Sequence, residues 1–183
     1  MAEDQIKIKT ANYFKNNFIF LDSSPRNNIS YHFQYLQFLY QIKKKEKVFS
    51  TILSLLNKTI IIEMFSIVEC LTHNLLLELL VDVGEDKNFK LLLKNHTSIT
   101  DLTEMATYYK VFTKEISSSV NKLSKYRNSI HIKTQNNGQK SEYLAYSNSI
   151  LKECEEYFQE ILEFIWHKNS FDYSNFEWPN KCN

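Results

Sequence analysis

Hydrophobic side chains in the C-terminal half of the chain recur at the three- and four-residue spacing of an α-helix. From Thr113 onward this spacing predicts one helix with a single stripe that faces a core or a partner. One position of the stripe is occupied by an arginine instead of an apolar residue. The stripe consists of Ile116, Val120, Leu123, Arg127 and Ile130.

The first half of the chain is also predicted to be helical. Ser30 is a candidate N-cap for a helix over about 31–43, and S-S-P-R-N-N before it is typical of a loop. A longer helix is expected over about 48–83, with Gly84 at its C-cap. Its apolar positions are too dense for one stripe, so we expect it to be the central, most buried element. The shorter helix is expected to bury an aromatic face made of Tyr31, Tyr35, Phe38 and Ile42.

Further helix starts follow in the second half. Ser98 with Asp101, or Thr100 with Glu104, indicates the start of a helix that runs to about Phe112, after a short helix over 87–94. The segment 133–140 is a polar loop, and Ser141 is expected to cap a last helix that ends near His167. The apolar face of that helix is predicted at Leu144, Leu151, Cys154, Phe158, Ile161 and Ile165. Glu153, Glu155 and Glu156 are expected to form an acidic face toward solvent or, in a dimer, toward the partner's lysines.

The scarcity of glycine and proline narrows the fold class. The 183 residues include only 2 glycines and 2 prolines, too few for a sheet-rich fold or for the glycine loops of nucleotide enzymes. We therefore predict a single all-α domain over 1–183, a bundle of four main helices plus shorter ones. Residues 1–29 form an N-terminal extension. The aromatic, acidic tail 168–183 is expected to dock on the bundle or, equally well, on a partner.

Neither the net charge nor the cysteine content indicates a protein that binds polyanions over its whole surface, or one held together by disulfides or zinc. The net charge is +1, so a nucleic-acid site would have to be a local patch. Three scattered cysteines without a C-x-x-C pair predict neither a disulfide framework nor a zinc ribbon. Cys70 and His73 lie one helical turn apart but lack a second ligand pair, so no metal or other cofactor is expected. The start is unlike a signal peptide, and acidic residues interrupt the most apolar stretch, so we expect a cytoplasmic protein without a membrane span.

The arginine on the stripe is the most informative feature of the sequence. His131 follows Arg127 by one helical turn, on nearly the same face. A guanidinium that is removed from water needs an anion. Glu69 or Glu63 of the long helix could pair with Arg127, or a bound phosphate could. Alternatively, the two cations simply stand at a helix C-terminus, where the helix dipole favours positive charge.

The stretch R-N-S-I-H at the end of this helix resembles the signature of the HEPN superfamily, whose members are small all-α bundles and in many cases RNases. Arg127, the polar Asn128 and His131 match the signature in type and order, and Glu69 is similar to an acidic residue on an earlier helix of the family. Three residues separate Arg127 from His131, one fewer than in the strict motif. The resemblance covers about residues 48–166.

The resemblance implies a metal-independent endoribonuclease that acts as a toxin or in antiphage defence. Arg127 would hold the scissile phosphate, His131 would transfer the proton and Asn128 would orient either group, with Glu69 as a fourth site residue. The implied partners are RNA, a second copy of the chain, and an antitoxin or another defence-system protein.

The lysines around the motif could contribute to binding. Lys122, Lys125 and Lys133, with Tyr126, are candidate contacts to single-stranded RNA, or else ordinary solvated side chains. Two other functions stay open. One is a non-catalytic HEPN-like module that binds RNA, a nucleotide or a protein, and the other is a structural helical protein with a buried Glu69–Arg127 pair.

Overall fold

Helices account for all regular structure in the residues that the computed structural model describes, which are 7–45, 49–82, 98–128 and 146–181. The predicted all-α fold class is therefore confirmed for these residues. Several predictions lie outside them: Gly84, the helix over 87–94, the polar loop over 133–140, Leu144, and the residues His131 and Lys133. The helices are α1 (Ala11–Lys15), α2 (Ser23–Lys45), α3 (Ser50–Asp82), α4 (Ile99–Tyr108), α5 (Lys114–Asn128) and α6 (Asn148–Lys168).

Helix α3 is the central element, as its dense apolar positions predict. It packs against α2, α4, α5 and α6. A helix that is apolar on all sides must be covered on most of them. By length and composition alone the stretch Ser50–Leu79 would suffice to cross a membrane, and 56% of its most apolar part is buried inside the fold.

Helix α2 begins earlier than the sequence pattern suggested. The predicted loop before Ser30 is its first turn, where the Arg26 N–H donates to the Asp22 carbonyl over 3.1 Å. Pro25 is compatible with this turn because the first N–H groups of a helix have no partner within the helix. Ser30 is not a cap. It is buried mid-helix, and its Oγ donates to the Arg26 carbonyl over 2.6 Å.

The predicted aromatic face of α2 is its outer face. Tyr31 is 56% exposed and Tyr35 is 43% exposed, and the Tyr35 and Phe38 rings stack with centroids 6.2 Å apart. The same helix buries a second stripe at Ile29, Phe33 and Leu36. Both stripes have helical spacing, so periodicity alone could not decide which one faces the core.

The two ends of the chain complete the core rather than extend from it. Phe14 and Phe18 of the N-terminal segment are fully buried, and the Trp166 Nε1 of α6 donates to the Asn17 carbonyl over 2.9 Å. The C-terminal tail covers the other side of Trp166, with the Phe176 ring centroid 4.8 Å away. Of the two predicted docking places for the tail, the bundle is the one observed.

Side-chain and backbone caps set the helix ends in the second half. Ser98 and Asp101 form the predicted capping box at the start of α4. This helix ends at Tyr108, before the predicted Phe112, because Lys110 adopts a left-handed conformation with φ of 58°. That turn directs Val111 and Phe112 into the core.

The last helix starts later than predicted. Its cap is Ser147, whose Oγ accepts the Ile150 N–H, and not Ser141. The predicted apolar face of this helix is buried at every described position, namely Leu151, Cys154, Phe158, Ile161 and Ile165.

A matched pair of isoleucines tests the position of the core. Ile165 of α6 is 0% exposed, whereas Ile19 in the N-terminal segment is 62% exposed. We expect Ile165→Ala to lower the free energy of unfolding by about 2–5 kcal/mol, because it removes buried methylenes and leaves a cavity. Ile19→Ala should change it by no more than about 0.5 kcal/mol. Urea denaturation followed by circular dichroism measures both, and equal effects would contradict this assignment of the core.

Candidate functional site

The motif begins at the C-terminal end of α5. Arg127 and Asn128 are the last two residues of that helix, and both are exposed. Earlier in the helix Ile116, Val120 and Leu123 are buried, as the stripe predicts. His131, the third residue of the motif, lies outside the described residues, and its relation to Arg127 stays a prediction.

Arg127 is not buried in the core, although its position continues the buried stripe. Its side chain lies over the ring of Phe65 on α3, with Cζ 5.3 Å from the ring centroid. The flat guanidinium gains a cation–π contact there while its edges remain in water. This placement avoids the free-energy penalty of desolvating an unpaired charge. Of the two predicted places for Arg127, the core of its own chain is not the one observed, and an interface with a partner stays a prediction.

Asn128 fixes the guanidinium from the side. Arg127 Nη1 donates to Asn128 Oδ1 over 3.0 Å, and Asn128 Nδ2 donates to Ser124 Oγ one turn earlier over 3.4 Å. Among the described residues, no other hydrogen bond from the guanidinium is observed. Within the described part of the chain the guanidinium thus uses one of its five N–H donors, and its planar fork at the exposed end of α5 suits an anion.

Neither candidate glutamate forms an ion pair with Arg127. Glu63 lies 2.6 Å from Nδ1 of His32 on α2, so its carboxylate is already engaged. Glu69 is half-buried on α3, four residues after Phe65 and thus on the same side of the helix. Within the described part of the chain, Glu69 therefore stands near the motif without neutralising the arginine.

Two of the predicted RNA-binding lysines share a groove. Lys122 and Lys125 line an open depression of about 500 Å³ along α5. The rest of its wall, at Thr107, Lys114, Ser117, Ser118 and Asn121, is polar or cationic. The third predicted lysine, Lys133, lies outside the described residues.

Tyr126 does not share that surface. It is half-buried, and its Oη donates to Glu153 on α6 over 2.8 Å. Tyr157 donates to the other oxygen of the same carboxylate over 2.7 Å, and Lys122 Nζ lies 5.0 Å from the Tyr157 ring centroid. The hydrogen bond to Glu153 raises the pKa of Tyr157 to about 12, and the two hydroxyl donors lower the pKa of Glu153. Tyr126 therefore joins two helices instead of offering a free ring to a base.

The predicted acidic face of α6 is largely engaged as well. Besides Glu153, Glu155 accepts a hydrogen bond from Tyr40 of α2 over 2.6 Å, and burial raises the pKa of that tyrosine. Glu156 alone of the three predicted residues is exposed. The partners Tyr126 and Tyr40 were not predicted, because they lie far from Glu153 and Glu155 along the chain.

The Cys70 side chain makes local contacts on α3. Asn74 Nδ2 lies 3.5 Å from its Sγ, and burial raises the pKa of the thiol. In the described residues, no three His, Cys, Asp or Glu side chains are grouped closely enough to hold a metal ion.

No protein-family model, no curated protein and no solved structure matches the chain.

Two contributors to this site were missed by sequence reasoning. Phe65, which supports Arg127, lies on another helix and has no local pattern that links it to the motif. Lys114 was detectable, because Lys114, Ser118, Lys122 and Lys125 follow helical spacing along one face.

The His32–Glu63 pair predicts a pH-dependent stability. The hydrogen bond to Glu63 raises the pKa of His32 above its usual 6.5, so the folded state favours the protonated imidazole. The stabilisation is fully present below about pH 6.5 and is lost as the pH rises through the folded-state pKa. The free energy of unfolding of the wild type should therefore fall relative to that of His32→Gln between about pH 6 and pH 8.5.

Urea denaturation at several pH values measures this difference. In a Glu63→Gln background the effect of His32→Gln should no longer depend on pH, because the carboxylate partner is gone. A wild-type difference that stays constant over the whole range would contradict the role of this pair.

Proposed function

We propose that this protein is a metal-independent endoribonuclease of the HEPN type that cleaves RNA by attack of a 2′-hydroxyl on the adjacent phosphate. One observation carries the proposal. The arginine of R-N-S-I-H is exposed, lies over the ring of Phe65 and donates to Asn128, and among the described residues its guanidinium makes no other hydrogen bond. An arginine held in this way is suited to bind a phosphate through its planar fork.

Each proposed residue has a role in a balanced reaction. His131 accepts the proton of the 2′-hydroxyl as that oxygen attacks phosphorus, and then returns the proton to the departing 5′-oxygen. Arg127 stabilises the negative charge that grows on the phosphate oxygens. The bond from phosphorus to the 5′-oxygen breaks, so the products carry a 2′,3′-cyclic phosphate and a free 5′-hydroxyl. Asn128 acts as a positioning residue, because its amide oxygen binds the guanidinium.

Glu69 is proposed as the acidic residue of the site. It lies on α3 one turn beyond Phe65 and is not paired with Arg127. A nearby carboxylate favours the protonated form of a histidine. In this role Glu69 would keep His131 protonated long enough to donate to the leaving oxygen.

The non-catalytic module stays the second candidate. It is favoured by the spacing of the motif, because Arg127 and His131 are one residue closer than in the strict signature. Such a module would use the same arginine and lysines to bind RNA or a nucleotide without turnover. The third hypothesis, a buried Glu69–Arg127 pair, is contradicted by the exposure of Arg127 and by the absence of an ion pair between these two residues.

Loss of either motif residue should abolish cleavage. We expect Arg127→Ala and His131→Ala to lower the rate of RNA cleavage by about 100-fold or more, in the presence of EDTA, since each removes a group that acts in the transition state. Mass spectrometry of the wild-type products should find 2′,3′-cyclic phosphate ends. The control is Lys181→Ala, an exposed residue of the C-terminal tail, which lies outside the helix that carries the motif.

The same variants must remain folded for this test to be valid. Because Arg127 is exposed, Arg127→Ala should change the free energy of unfolding by about 1 kcal/mol or less, well below the loss of about 3–5 kcal/mol on breaking a buried pair. RNA binding without cleavage by the wild type would instead establish the non-catalytic module. Cleavage by both variants at the wild-type rate would reject the assigned residues.

The enzyme is further proposed to act as a homodimer in which two motifs face one cleft. A two-fold dimer brings the same residues together from both chains without extra sequence. An antitoxin or another defence-system protein is the proposed regulator, because an exposed RNase site requires control in the cell.

Light scattering and dilution test the dimer. We expect a mass of twice the 21.8 kDa of one chain, and a cleavage rate per chain that falls as dilution separates the protomers. Arg127→Ala should leave the mass unchanged, because it removes phosphate binding and not the interface. A monomer with an undiminished cleavage rate would contradict the composite site.

A further inference from the structure

The groove along α5 contains more than the two lysines that the sequence pointed to. It is lined by Lys114, Lys122 and Lys125, and by the hydroxyl and amide groups of Ser118 and Asn121. We infer that this groove binds the phosphodiester backbone of a single-stranded RNA and guides the strand to Arg127 and Asn128. The identity of the strand as RNA rests on the proposed function, whereas the affinity for a polyanion follows from the groove itself.

The charge of the groove is a local property. The whole chain has a net charge of only +1, yet α5 carries Lys114, Lys122, Lys125 and Arg127 against the single acidic residue Glu115. Glu115 does not line the groove, and no other acidic side chain of the described residues does. A concentrated positive field on a nearly neutral protein attracts a polyanion to one face only.

The groove also provides neutral hydrogen-bond donors. Ser118 and Asn121 are exposed and lie between the first and last lysines of the helix. Ser117, in contrast, is buried and hydrogen-bonded to Thr107 of α4, which fixes the wall of the groove. Lysine, serine and asparagine side chains are typical contacts of phosphate oxygens, and such contacts position a strand without reading its bases.

The length and direction of the groove fit a short stretch of one strand. Lys114 and Lys125 are eleven residues apart on one face of α5, or about 16 Å along the axis at 1.5 Å per residue. Asn128 continues the same face one turn beyond Lys125. A strand that follows this face therefore reaches Asn128 and the guanidinium that its amide holds.

Other occupants fit the groove less well. A protein partner would be expected to insert an apolar or aromatic anchor, but no apolar side chain lines the groove among the described residues. Double-stranded RNA is bound across successive grooves of the duplex over about 16 base pairs, which is much longer than this helix face. A single strand requires neither an apolar anchor in the groove nor a binding face of that length.

The three lysines are not equivalent. Lys122 Nζ lies over the Tyr157 ring, and its charge helps to lower the pKa of Glu153. Its substitution would disturb the junction between α5 and α6 as well as the groove. Lys114 and Lys125 have no such contact with α6, so they are the better test positions.

The experiment measures binding of a short, fully 2′-O-methylated RNA single strand to the whole protein by fluorescence anisotropy over a range of salt concentrations. Methylation removes the attacking hydroxyl, so the strand stays intact. The logarithm of the binding constant is plotted against the logarithm of the salt concentration. Each phosphate contact to a single strand contributes about 0.7 to the steepness of this line. Lys114→Gln/Lys125→Gln should therefore flatten the slope by about 1.4.

The matched control is Lys152→Gln/Lys181→Gln, which removes the same charge from exposed positions outside the groove. Its slope should equal that of the wild type. An unchanged slope in the groove variant, or an equal change in the control, would overturn the inference. Tighter binding of an RNA duplex, or of a polyglutamate peptide, with the same dependence on Lys114 and Lys125 would replace the single strand as the occupant.

Cleavage of unmodified RNA by the same variants separates this inference from the proposed function. If the wild type binds the methylated strand through Lys114 and Lys125 but cuts no RNA, the groove stands and the nuclease assignment fails. If the wild type cuts RNA and the groove variant retains its KM, the nuclease stands and the groove assignment fails.

Discussion

Burial of α3 is the constraint on which the rest of the structure depends. This helix is apolar on nearly every side, so it lowers the free energy of the fold only when other helices cover it. Helices α2, α4, α5 and α6 all pack against it. The N-terminal segment and the C-terminal tail then close the core around Trp166. The residues of these covering helices that extend past α3, or face away from it, form the surface.

The candidate site is a direct result of that arrangement. Helix α5 packs on α3, α4 and α6 and buries Ile116, Val120 and Leu123, whereas its last two residues are exposed. Arg127 occupies the next position of the stripe, where it lies over the ring of Phe65 and stays exposed. The packing that stabilises the bundle therefore also presents a guanidinium at its surface. The other face of the same helix carries the lysine groove, so one helix joins both proposed parts of the RNA site.

Sequence reasoning succeeded where the decisive interactions are local. The capping box at Ser98, the extent of α3 and the apolar face of α6 all depend on residues within a few positions of one another. It failed where two local patterns were equally good, as for the two stripes of α2. It also failed for polar groups whose partners lie on another helix, such as Glu63 with His32 and Glu153 with Tyr126.

The sequence by itself determined the helical fold class, the central place of α3 and the motif R-N-S-I-H, because composition and periodicity act over short distances along the chain. Only the tertiary structure decided that Arg127 is exposed on Phe65, that neither glutamate neutralises it and that Tyr126 turns to α6. The physical reason is that burial and pairing are properties of neighbours in space. A residue on the apolar stripe of a helix is buried only where a neighbouring helix covers it.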